Sequence, residues 1–125
     1  MKQRAIRGKF MPANQHKYEG KIDRITYRSL WERKVMLYCD RSDQVVKWSS
    51  EELHIPYLNP RDNRYHNYYP DFALTMRDGK RIIVEVKPAF QKFNPVNQQK
   101  FLSAQAWCKE NDHEFIVLTE KEIKP

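Results

Sequence analysis

The stretch YPDFALTMRDGKRIIVEVKP, residues 69–88, sets Asp71, Glu85 and Lys87 into two apolar runs. Alternation puts Asp71, Ala73 and Thr75 on one face of the first run, and Ile83, Glu85 and Lys87 on one face of the second. The opposite faces, Phe72, Leu74 and Met76 with Ile82, Val84 and Val86, read as plain core. Two half-buried carboxylates side by side repel one another, and leaving them unpaired is costly. A divalent cation removes that cost. An all-oxygen donor set suits magnesium or manganese better than zinc, and no Cys or His cluster competes. Lys87 can orient or deprotonate a water, or stabilise charge growing on a phosphate. A solvated surface hairpin is the plain alternative for each charge taken alone.

Whether the acids meet depends on the turn. A two-residue Asp78-Gly79 turn pairs Arg77 with Lys80 and sends Asp71 and Glu85 to opposite faces. A three-residue loop, Arg77-Asp78-Gly79, pairs Met76 with Lys80 and sets Asp71 opposite Glu85. Gly79 suits the left-handed position that closes such a loop, although Asp-Gly also suits the shorter turn. The longer loop is the expectation, because the chemistry requires it.

The surrounding elements follow from pattern. Residues 26–41, TYRSLWERKVMLYCDR, predict a helix capped by Thr26 or Ser29, with Leu30, Lys34 and Leu37 on one face and Trp31, Val35 and Tyr38 on the next. QVVKW and ELHIPYL are short strands, and residues 59–70, rich in turn formers, read as a loop. VNQQKFLSAQAWCKEN has helical spacing, with Val96, Phe101, Ala104 and Cys108 inward. HEFIVLTE is a short apolar strand expected in the sheet interior. The order predicts an α/β (α+β) domain, a mixed β-sheet with helices packed on it. Residues 1–20 read as a separate basic arm, extended or ordered on binding, ahead of a domain at 21–125.

The 125 residues suffice for one domain with its own core. The two cysteines, Cys39 and Cys108, form no C-x-x-C pair, which suits a reducing compartment. No apolar run approaches the roughly 20 residues of a membrane span, and the expectation is a soluble intracellular protein. A formal charge of +7 favours a polyanionic partner, nucleic acid by default. Residues 1–18 carry Lys2, Arg4, Arg7, Lys9 and Lys17 and no acid. Deleting the arm is therefore expected to weaken DNA contact in a salt-dependent way and to leave the fold intact. Arg28, Arg61, Arg64 and Lys92 are further candidates for phosphate contact. Tyr65, Tyr68 and Tyr69 could stack on bases, although packing is the commoner role. His54 and His66 are isolated, and Trp31, Trp48 and Trp107 read as core.

The pair PD at 70–71 followed by EVK at 85–87 resembles the PD-(D/E)xK nuclease superfamily. The segments GKFMP, KYEG, ITYRSLWE, VVKWSSEELHIPY, YYPDF, VEVKP and FIVLTEKEI resemble the small head completion nucleases of contractile-tailed phages. The core is also similar to phage endonuclease I, a Holliday-junction resolvase, and to TnsA-type endonucleases. The resemblance implies a restriction-endonuclease-like fold and a magnesium-dependent DNA endonuclease, with manganese as a substitute. Its substrate would be double-stranded or branched DNA, cut structure-selectively or nonspecifically, in head completion after packaging. Asp71, Glu85 and the Val86 carbonyl would be metal ligands, Lys87 the general catalyst, and Glu32 a further acid for a second metal or its water shell. The implied setting is the host cytoplasm or the virion head or neck. Two alternatives stand beside this reading: a non-catalytic head or neck protein docking on the portal or connector, and a resolvase-like nuclease. On sequence alone Ser29-Leu30-Trp31-Glu32 fits an S-x-x-E capping box, which is a sufficient structural reason for Glu32.

Overall fold

A computed structural model describes residues 7–123. The strands are β1 Gly8–Lys9, β2 Thr26–Tyr27, β3 Val45–Ser50, β4 Ile55–Asn59, β5 Arg64–Tyr68, β6 Phe72–Met76, β7 Arg81–Val86 and β8 Glu114–Leu118. The helices are α1 Leu30–Arg41, α2 Pro95–Glu110 and the short α3 Glu120–Ile123. A four-stranded sheet runs β3-β6-β7-β8, while β1-β2 and β4-β5 form separate ribbons. β3, β6 and β7 are antiparallel neighbours, whereas β8 lies parallel to β7. Parallel pairing needs a crossover, which α2 supplies. The mixed sheet with helices is the fold class that the sequence predicts. Among the described residues, no helix is long and apolar enough to cross a membrane.

The sheet buries both faces. On one, Phe72, Leu74, Val84 and Val86 pack with Val35, Met36 and Cys39 of α1 and with Trp48. On the other, Ile83 is wholly buried, and Ala104 of α2 packs with Ile55, Tyr57 and Tyr68 of the β4-β5 ribbon. Asn94 caps α2, its side chain accepting from the Val96 amide at 2.9 Å, and Pro95 follows at the first turn. Phe101, Ala104 and Cys108 are buried as expected, and Val96 is partly so.

Several expectations need correction. The buried stripe of α1 is Val35, Met36, Cys39 and Asp40, while Leu30 and Tyr38 are exposed. The strip that touches the sheet is thus narrower than, and rotated from, the one the apolar letters suggest. Residues 59–70 are not a loop throughout. Asn63 adopts a left-handed φ of 57° and closes a tight turn, after which β5 pairs with β4 from Asn59↔Arg64 to Ile55↔Tyr68. Only Tyr68 of β5 is buried, so no alternation advertised the strand. β8 lies at the sheet edge and pairs with β7 alone. Its side chains are half-buried at most, and Ile116 is exposed, so its apolar letters suggest more burial than the edge position gives.

The expected arm is not separate over its described part. Phe10 and Tyr18 stand edge-on to the Trp48 ring at 5.9 and 4.7 Å between centroids. The Asp40 carboxylate accepts from the Ala13 and Asn14 amides at 2.9 and 2.8 Å. Lys17 is buried, its ammonium donating to the Asp40 and Ser42 carbonyls, so one of the arm's charges is structural. Lys2 and Arg4 lie outside the described residues. Deleting residues 1–20 is therefore expected to unfold the protein, and Phe10→Ala alone to cost about 3–5 kcal/mol. Loss of the cooperative thermal transition is the readout. A truncated chain that melts like the parent would show these contacts to be dispensable.

Candidate active site

The β6-β7 hairpin places the acids. Thr75 pairs with Arg81 and Phe72 with Val84, and the Met76 amide donates to the Lys80 carbonyl at 2.7 Å. This is the register of the three-residue loop, with Gly79 at a left-handed φ of 93°. Carried one step further, it sets Asp71 opposite Glu85, and the Asp71 amide donates to Glu85 Oε1 at 3.3 Å.

Each side chain is held by named partners. Asp71 Oδ2 accepts from the Val86 amide at 2.7 Å. Glu85 is 4% exposed, and its Oε1 accepts from the Tyr68 hydroxyl at 2.7 Å. Its Oε2 lies 3.2 Å from the Lys87 ammonium. The Lys87 amide donates to the Leu118 carbonyl of β8, which fixes the end of the active strand. Ser29 caps α1 by accepting from the Glu32 amide at 3.1 Å. Glu32 Oε1 accepts from the Arg28 amide at 3.0 Å, one residue before the reciprocal partner of a capping box. Glu32 and Lys87 line one open cleft of about 620 Å³.

The electrostatics couple the acids. Burial, then the charges of Glu85 and Glu32, hold the Asp71 carboxyl well above the ordinary aspartate range, against the pull of the Val86 amide and Lys87. Burial also raises Glu32, with Glu51 and Glu85 adding to it and the Arg28 amide opposing. Negative charge is thus in excess at this spot. Among the described residues, no three His, Cys, Asp or Glu side chains converge closely enough to hold an ion by themselves. Asp71 and Glu85 offer hard-oxygen donors, and the surplus charge is of the kind a divalent cation would relieve.

Other candidates fall apart in space. Arg28 stands at the cleft and pairs with Glu51. Arg61 and Arg64 are exposed at the tip of the β4-β5 ribbon. Arg64 is four residues along β5 from Tyr68, roughly 13 Å at strand rise. Lys92 faces α2 and β8 beside Phe101 and Phe115, away from the cleft. Tyr68 is buried, so it cannot stack on a base, while Tyr65 and Tyr69 are exposed. His66 meets Asp62 at 2.8 Å and the Tyr57 ring at 6.0 Å between centroids, on the β4-β5 ribbon, and among the described residues it joins no cluster of three metal-ligating groups. Trp48 is core, whereas Trp31 and Trp107 are only partly buried.

Two residues at the site, Glu51 and Lys100, escaped the sequence reading, and Tyr68 was read for stacking or packing only. Tyr68 orients Glu85. Glu51, at a left-handed φ of 55°, donates its amide to the Asp71 carbonyl and binds Arg28. Such strain in a non-glycine residue is a mark of functional segments. Lys100 of α2 lies over the Tyr57 and Tyr68 rings at 5.6 and 5.7 Å, its pKa lowered by burial and by Lys87. A lysine one turn before the inward Ala104 was the legible signal for it. Tyr68→Phe is expected to lower cleavage by about 10–100-fold, as loss of a ligand-orienting bond does. It should also cost about 1.5–3 kcal/mol for the hydrogen bond to a buried charge. Kinetics and denaturant unfolding check both, and an unchanged rate would make Tyr68 mere packing.

Acids at the end of a β-hairpin, in a mixed sheet clad by helices, define a nuclease-like α/β domain. The chain belongs to the TnsA-like endonuclease N-terminal family, whose profile matches residues 42–120. It is also similar to the head completion nuclease of Enterobacteria phage T4, 27% identical over 142 aligned positions that cover 96% of this chain and 95% of that one. Both comparisons bear out the family read from the sequence. The profile spans Asp71, Glu85, Lys87 and α2 but begins after α1, whereas the alignment to the phage nuclease covers nearly the whole chain, α1 included.

Proposed function

We propose that the chain is a magnesium-dependent DNA endonuclease that acts in phage head completion. One observation carries the reading: Asp71 lies opposite Glu85, and Lys87, paired with Glu85, lines an open cleft, in a chain similar over 96% of its length to a head completion nuclease. Asp71, Glu85 and the Val86 carbonyl would hold the metal, with Glu32 beside it. When bound, the metal supplies charge stabilisation at the phosphate and lowers the pKa of a water. Lys87, which stands 3.2 Å from Glu85 Oε2, would orient the attacking water or donate to the phosphate. Arg28, on the same cleft and paired with Glu51, would contact the DNA backbone. Nothing in the site reads base edges, which favours structure-selective or nonspecific cutting.

The deciding experiment is incubation of plasmid and of branched DNA with magnesium or with EDTA. Cleavage of at least one substrate in magnesium and of none in EDTA is the expected result. No metal-dependent cleavage of any substrate sinks the proposal. Calcium accepts the same oxygen ligands with looser geometry. It is expected to support DNA binding while giving little cleavage. Full activity in calcium, or strict dependence on zinc, contradicts the ligand assignment.

A further inference from the structure

Phe90 and Phe93 are 79% and 80% exposed, more than any other large apolar side chain among the described residues. They stand between Lys87 and the start of α2. Single exposed apolar residues are ordinary. Two phenyl rings turned to water on one short loop forgo burial that a differently folded loop could give them. The loop is not slack. Asn97 Nδ2 donates to the Gln91 carbonyl at 2.9 Å, and Gln98 Nε2 to the Lys92 carbonyl at 2.5 Å. Glu120 accepts from the Ala89 amide at 2.9 Å. α2 and α3 thus hold the loop in a shape that displays the rings.

Phe90 is itself part of the cleft wall that Glu32 and Lys87 line, with Arg28 on the same cleft. A strand whose phosphate meets Lys87 and Arg28 runs past Phe90. An intact duplex keeps its base faces stacked inside, whereas an unpaired or flipped nucleotide offers a face to an aromatic ring of any sequence. We infer that Phe90 and Phe93 form a stacking platform for unpaired bases, so that branched, frayed or single-stranded DNA is preferred over intact duplex. This rests on the nucleic-acid reading above and specifies its substrate class.

The test uses branched DNA with 2-aminopurine at unpaired positions and an intact duplex of equal length. Each is titrated in EDTA with the parent and with a Phe90→Ala/Phe93→Ala variant. The parent is expected to quench the 2-aminopurine and to bind branched DNA about tenfold more tightly than duplex, the scale of one stacked base. The variant is expected to lose quench and preference, yet to keep duplex affinity within about twofold, as exposed positions allow. Retained quenching in the variant, or no preference in the parent, overturns the platform. If DNA behaviour is unaltered and the variant instead fails to bind DNA-filled heads, the rings dock a protein, which overturns it as well. A normal quench without cleavage in magnesium supports the platform and sinks the nuclease reading instead.

Discussion

Asp71→Asn is expected to lose cleavage and gain thermal stability. On the proposed mechanism the loss follows from removing a charged metal ligand: metal stabilisation of a reacting phosphate is worth several kcal/mol. At about 1.4 kcal/mol per factor of ten, that is roughly a thousandfold. The gain follows from the surplus charge. Burial, Glu85 and Glu32 raise the Asp71 carboxyl in the folded state. A folded pKa above the unfolded one contributes stability that is fully present below the ordinary aspartate value, about 3.9, and is lost as pH rises through the raised value. Asparagine cannot ionise, and its side-chain oxygen can still accept from the Val86 amide. In EDTA the variant should therefore melt with the parent at low pH and progressively above it towards neutrality. Magnesium should raise the parent's melting temperature and leave the variant's unmoved. A variant that is less stable at neutral pH, or one that cuts DNA normally, would refute this account of Asp71.

Glu32→Gln separates two roles for one side chain. Glu32 Oε1 accepts from the Arg28 amide at 3.0 Å, a bond that the glutamine carbonyl can also accept. Glutamine carries no charge, and is a far weaker partner for magnesium or its water shell. Glu32→Gln is expected to hold its melting temperature within a few degrees, since a cap as a whole is worth about 0.5–2 kcal/mol. It should lose most of its cleavage. Glu32→Ala should lose both. A glutamine variant that cuts like the parent makes Glu32 a cap, with the chemistry left to Asp71, Glu85 and Lys87.

The amino-acid sequence by itself determined the hairpin and the face on which its charges lie. Period-two alternation and a glycine at the loop's left-handed position are local properties, readable without knowing any neighbour. They left the register open between a two- and a three-residue turn, and the requirement that Asp71 meet Glu85 singled out the one observed. The cap at Ser29, one of two candidates with Thr26, is local too, as is the inward stripe of α2. Tertiary structure decided everything that depends on which surfaces meet. Tyr68 became the partner of Glu85 because β5 ends beneath β7, and Lys100 reached the site because α2 lies over the β4-β5 ribbon. Phe10 and Tyr18 entered the core because Trp48 offered rings to pack against, in a segment with no periodicity to announce it. β8 took the sheet edge, half-buried at most, although its letters suit a central strand, because the crossover through α2 lays it parallel to β7 with no further strand beside it. Local pattern specifies what an element is. Long-range contact specifies what it touches, and the second-tier residues of this site exist only through such contacts.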